Sequence, residues 1–143
     1  MSFKALHASS AAWVSSPKGA ISGFFAQQFP DYGWAILLAG GSLPNIPIRP
    51  DAGKIQRTFL EDVCQMSPVE GEDCIAIGHP DKGYLIYPQG EATSIPVTKG
   101  KYEEYTIDMK SGAIKLQRKA LRLNATFNLR SLAPGTLVWL RMP

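Results

Sequence analysis

Cysteine and histidine are both scarce: Cys64 and Cys74 are the only thiols in 143 residues, and His7 and His79 the only imidazoles. Two cysteines make no disulfide framework. With Cys64 on an apparent helix face and Cys74 inside an apolar strand, two buried free thiols are expected. Neither histidine stands at ligand spacing from a cysteine, so no metal site is expected. His79 falls in a Gly-His-Pro-Asp turn, where a surface role is expected. No run of about 18 apolar residues occurs, so no membrane-spanning helix is expected. Lys4 is followed by no continuous apolar stretch before Ser, Lys and Pro intervene, and no signal peptide is read. Gly40-Gly41-Ser42-Leu43-Pro44 lacks the closing glycine of a nucleophile elbow. The same glycines lack the Lys and Ser/Thr continuation of a phosphate loop, and no cofactor is expected.

What is present describes an ordered chain. Hydrophobic residues make up 45% and charged residues 19%, which excludes a disordered or low-complexity composition. The net charge is +3. Its basic residues concentrate in KLQRKALR (115–122), without the interleaved aromatics that stack bases. A solvated strand is the better reading of that cluster, and no nucleic-acid partner is expected.

From Asp73 to Arg141 the chain is a series of short runs: DCIAIG (73–78), GYLIYP (83–88), TSIPV (93–97), YEEYTID (102–108), AIKLQ (113–117), ATFNLR (125–130) and TLVWLR (136–141). Gly, Pro and Asp turns divide them at a repeat of roughly ten residues, which predicts an antiparallel sandwich or barrel. In YEEYTID, alternation puts Tyr105 and Ile107 on one face and Glu104, Thr106 and Asp108 on the other.

Upstream the pattern changes. Strands are expected near Phe3–Leu6 and Ala12–Val14. A short helix with an aromatic stripe (Ile21, Phe24, Phe25, Phe29) is expected after Gly19. Asp31 is read as an N-cap, Trp34 to Ala39 as a helix apolar nearly all round, Gly40-Gly41 as its stop, and residues 42–48 as extended. In residues 52–66, Ile55, Phe59, Val63 and Met66 form an apolar stripe flanked by Leu60 and Cys64. This is the clearest amphipathic helix, with Glu61 and Asp62 on its polar face. The composition changes near residue 70. The expected organisation is therefore an α/β segment over 1–70 and an antiparallel β-sandwich domain over 71–143, mainly β with some α.

The stretch GWAILLAGGSLPNIP (33–47) is similar to the last helix and strand of the (β/α)8 barrels of apiosidase- and family 5-type glycoside-hydrolase-like proteins. GHPDKGYLIYPQG (78–90), YTIDMKSGAI (105–114) and PGTLVWLR (134–141) resemble the small β-sandwich appended to those barrels. The D-x-x-[ST]-G pattern of that sandwich falls on Asp108, Ser111 and Gly112. The resemblance covers residues 30–141 and implies a carbohydrate-active parent, but it brings no catalytic residues, because the family's carboxylates lie upstream of anything matched here.

A glycosidase needs two carboxylates roughly 5 to 9.5 Å apart. Glu61 and Asp62 diverge by about 100° around a helix, and Glu104 and Asp108 lie about 13 Å apart on a regular strand. No catalytic residue is assigned. Aromatic rings stack on the apolar faces of sugars and carry a polar tip, so Tyr84, Tyr87, Tyr102 and Tyr105 are the candidate carbohydrate-binding residues. Alternation places Tyr84 and Tyr87 on opposite faces, so the four cannot form one platform. The expected function is a non-catalytic carbohydrate-associated β-sandwich module, the C-terminal portion of a glycoside-hydrolase-like protein. The alternatives are a small stand-alone hydrolase and an oligomeric structural protein. Residues 1–50 are expected either to associate with a second copy or to fold back as a non-barrel layer against the sandwich, association being preferred, because the apolar helix needs cover on every side.

Overall fold

A computed structural model describes residues 30–40, 46–130, 132 and 135–143. The strands and the aromatic-striped helix expected within residues 1–29 lie outside these. Among the described residues two helices, α1 (Pro30–Leu38) and α2 (Lys54–Val63), precede eight strands. These are β1 (Ser67–Val69), β2 (Cys74–His79), β3 (Gly83–Pro88), β4 (Ala92–Pro96), β5 (Gly100–Asp108), β6 (Ile114–Leu123), β7 (Thr126–Arg130) and β8 (Thr136–Arg141). Every strand pairing is antiparallel.

The breakers end the strands for identifiable reasons. In the β2–β3 turn the Asp81 amide donates to His79 Nδ1 at 3.0 Å, and the Lys82 amide donates to the His79 carbonyl at 3.2 Å. Gly83 then resumes the ladder at φ 125°. A Cβ there would lie 1.9 Å from the Leu140 carbonyl oxygen of β8, so only glycine fits. Between β5 and β6, Asp108 Oδ1 accepts from the amides of Lys110 (2.8 Å) and Ser111 (3.0 Å). Gly112 closes that turn at φ 79°, which is why the sequence reads Asp-x-x-Ser-Gly.

Six strands form one sheet in the order β1-β2-β3-β8-β5-β6, and β4 pairs with β7 as a separate ribbon. The last strand, β8, is thus inserted between β3 and β5, and Leu137 to Leu140 have no exposed surface. Alternation along β8 divides two cores. Leu137 and Trp139 join Ile77, Leu85, Tyr105 and Ile107 beneath Trp34, Leu37 and Leu38 of α1 and Phe59 and Val63 of α2. Val138 and Leu140 join Ala76, Tyr84, Ile86 and Tyr102 against Ile95 of β4 and Phe127 of β7. The chain is therefore mainly β, with helices on one face of the large sheet and a two-stranded ribbon on the other.

Several local expectations are corrected. The first helix begins at Pro30, so Asp31 lies inside it rather than capping it; a proline in the first turn forgoes an N–H that would have no helical partner. Residues 33–39 are all buried within the chain. The Trp34 indole Nε1 donates to the Met109 carbonyl at 2.8 Å, and its ring meets Phe59 edge-on at 6.2 Å. In α2, Phe59 and Val63 are buried as the stripe requires, but so is Asp62, which had been assigned to the polar face. Cys64 caps the C-terminus of α2 and is exposed, not buried. Cys74 is half-buried, and both thiols are free.

Candidate functional site

The tyrosines flagged as candidate carbohydrate-binding residues are mostly core. Tyr84 (6% exposed), Tyr102 (0%) and Tyr105 (8%) are buried, and Tyr87 is half-buried against the helix-side core. Tyr84 and Tyr102 face the ribbon, where the Tyr102 hydroxyl donates to the Thr98 carbonyl. The Thr98 amide donates to the Tyr84 hydroxyl at 3.0 Å. These two rings clamp the loop between β4 and β5. Burial, aided by neighbouring Tyr84, pushes the Tyr102 phenol up to about 12. Tyr105 faces the helices and stacks on Trp139 at 4.9 Å. The structure thus divides the four rings between the two sides of the sheet.

A polar cluster that the sequence analysis did not assemble lies on the helix side. Cross-strand register sets Ile77, Leu85, Trp139, Tyr105 and Leu116 side by side in one row. Two residues further along the strands the row becomes His79, Gly83, Arg141 and Glu103. Arg141 Nη1 donates to Glu103 Oε1 at 2.8 Å. Its Nε lies 3.8 Å from Asp62 Oδ2 of α2, a Coulombic contact too long for a hydrogen bond. Burial raises the Asp62 carboxyl above its ordinary 3.8, while Arg141 and Lys82 pull it back. Burial also raises the Tyr105 phenol, with the Glu103 carboxylate adding to that shift and Arg141 opposing it.

One guanidinium thus bridges two carboxylates brought together from α2 and β5. At Asp62 the guanidinium opposes the effect of burial without overcoming it. Part of this was foreshadowed: alternation in TLVWLR puts Arg141 on the face of Trp139, and in YEEYTID it puts Glu103 on that of Tyr105. The missing signal was strand order. On the other face, Arg118 pairs with the buried Glu104 through Nε at 3.1 Å and through Nη2.

A second feature lies on the ribbon. Glu72, Ala92, Thr93, Ser94, Asn128 and Leu129 line an open depression of about 410 Å³. Glu72 is held against β4 by reciprocal backbone hydrogen bonds with Ser94 (2.7 and 3.1 Å), and Ser94 is paired in register with Asn128. Alternation sends Ile95 and Phe127 into the core and leaves Ser94 and Asn128 on the outer face. A carboxylate, a hydroxyl and a carboxamide therefore stand together beside the methyl of Ala92. Among the described residues no group of three or more His, Cys, Asp or Glu could hold a metal ion, and no helix is long and apolar enough to cross a membrane. The chain matches none of the protein-family models and none of the curated proteins with which it was compared.

Proposed function

We propose that this chain is a non-catalytic, carbohydrate-associated β-sandwich module, the C-terminal portion of a glycoside-hydrolase-like protein. In this reading α1 is the end of the barrel, and the six-stranded sheet with its ribbon is the appended sandwich. The observation that carries the proposal is the ribbon depression. A sugar presents a ring of hydroxyls, each both donor and acceptor, around a patch of C–H surface. Glu72 offers acceptors, Ser94 both kinds, and Asn128 two donors and an acceptor, while Ala92 and Leu129 supply apolar contact. Its volume falls at the lower end of ligand sites, roughly 300–1,000 Å³. Sugar binding is reassigned in this way from the tyrosines, whose rings are largely enclosed, to the ribbon. Any self-association through residues 1–50 uses surface other than the buried residues 33–39.

Titration of the purified chain with a panel of neutral and acidic oligosaccharides, followed by amide chemical shifts, tests the proposal. Binding should perturb Ser94 and Asn128, and Asn128→Ala should weaken it about tenfold, the loss of one or two hydrogen bonds. A panel without a single binder refutes the assignment. The stand-alone hydrolase is the second reading, favoured by the raised Asp62 carboxyl lying across Arg141 from Glu103. Turnover of an aryl glycoside that disappears in Asp62→Asn would establish it in place of the first.

A further inference from the structure

Among the described residues, the longest edge of the sheet is open and basic. Among the described residues β6 pairs only with β5, although it runs for ten residues, six of them consecutively exposed. Lys115, Arg118, Lys119 and Arg122 lie along it and Lys101 is paired beside Arg122; among the described residues only Arg118 of these has an acidic partner, Glu104. From residue 109 to the end, the chain contains no Asp or Glu at all. At 47% exposure, Leu116 is the most exposed large hydrophobic side chain among the described residues, and it stands on this strand.

We propose that β6 is a docking edge for an extended acidic polypeptide, which adds as a seventh strand. Three observations select this occupant. An edge strand presents a row of outward N–H and C=O groups that another backbone matches in full. A sulfated glycan or nucleic acid would meet the cations but leave that row unmatched. The unpartnered Lys101, Lys115, Lys119 and Arg122 require carboxylates opposite them, and Leu116 offers an apolar anchor. A second copy's opposite sheet edge, β1 (Ser67–Val69), is a strand of three residues without an acid, too short to cover ten. Lysines on an edge also discourage indiscriminate pairing between like strands, which is compatible with selecting an acidic one. This surface is independent of the carbohydrate reading.

The test uses the full chain and three probes. These are a blocked ten-residue peptide of alternating Glu and Val, the same peptide with Pro replacing Val, and a sulfated octasaccharide. Proline keeps the charge but cannot donate to a ladder. The Glu-Val peptide should bind at least about tenfold more tightly than either control and should slow amide exchange in β6. The double variant Lys115→Glu, Lys119→Glu should lose that binding and acquire affinity for a Lys-Val peptide, a charge swap that also shows the variant is folded. Equal binding of all three probes would make the strand a general polyanion surface and overturn the proposal. So would no binding of any, or a variant that binds Glu-Val unchanged. A dimer by light scattering that the double variant abolishes would assign the edge to a second copy instead.

Discussion

Replacing Phe59 with alanine tests the contact that holds the helices on the sheet. Phe59 has no exposed surface. Its ring lies edge-on to Trp139 at 5.1 Å and to Trp34 at 6.2 Å, so it joins α1, α2 and β8 at one point. Truncating a buried phenylalanine costs about 3–5 kcal/mol, and more when the surroundings cannot collapse into the space. Here the walls are two large rings. Trp34 is pinned by its indole hydrogen bond to Met109, and Trp139 is stacked on Tyr105. Each aromatic pair adds about 0.5–1.5 kcal/mol beyond area burial, which places the expected loss near the top of the range. Against a total stability of about 5–15 kcal/mol, the variant should melt about 15 °C lower. Urea unfolding followed by tryptophan fluorescence reads the loss directly, because Trp34 and Trp139 flank the cavity. Leu60→Ala, at a half-buried position on the same helix, is the control and should cost less. A loss below about 1 kcal/mol for Phe59→Ala would mean that α2 is not packed on the sheet, and the two-core description would fall with it.

The remaining expectations concern charge and hydroxyl groups. Arg141→Met removes the chief opposition to burial at Asp62, so the Asp62 carboxyl should rise further. A raised carboxyl favours the folded state below its unfolded value of 3.8 and loses that contribution as pH rises through the folded value. The deficit of the variant against the parent should therefore be larger at pH 7 than at pH 3, and an equal deficit at both would sink the assignment. Tyr102→Phe removes the donor to the Thr98 carbonyl and should cost about 1–2 kcal/mol at pH 7. Because the phenol is raised from 10 to about 12, the parent should lose stability as pH climbs through that window. The variant should lose less there; parallel melting curves from pH 9 to 12 would contradict the burial of this hydroxyl.

Strands and turns were legible in the sequence because their causes are local. Each run in the second half of the chain became a strand, from CIAIGH to TLVWLR, and the Asp108–Gly112 turn closed with the groups its sequence supplies. Helix α2 was legible for the same reason, since its stripe needs only the 3.6-residue period. Partnership was not legible. Nothing in TLVWLR says that it enters between β3 and β5, or that β4 and β7 leave the main sheet to pair with each other. The tyrosines show the consequence. Their alternation was read correctly, but a tyrosine is core or surface according to what covers its face, and the ribbon that covers Tyr84 and Tyr102 exists only because β4, which lies between them in the sequence, pairs with the distant β7. Asp62 failed differently. A charge in an amphipathic helix is assigned outward unless a partner is known, and its partner, Arg141, lies 79 residues away in the sequence.

The two adjacent rows on the helix side of the sheet suggest why so costly an ionic cluster is retained. Ile77, Leu85, Trp139 and Tyr105 form an apolar row, and Phe59 of α2 packs on Trp139. Two residues along each strand, about 7 Å away, the row is His79, Gly83, Arg141 and Glu103. Three residues along α2, about 4.5 Å, the side chain is Asp62, which meets Arg141. The one buried charge of the helix thus meets the charged row of the sheet. Sliding α2 by one turn toward the apolar row would bring Asp62 over the Trp139 ring and strand a carboxylate without a cation. Sliding it the other way would put Phe59 over Arg141. Apolar packing alone distinguishes these registers poorly, because Ile55, Phe59 and Val63 repeat every four residues and could each take the other's place. The ionic cluster removes that degeneracy, a role for which buried charge is better suited than for adding stability. On this account Asp62, Glu103 and Arg141 position the helix rather than perform chemistry. Arg141→Met should then broaden the amide signals of α2 as it samples neighbouring registers, while a purely energetic role would lower stability and leave those signals sharp.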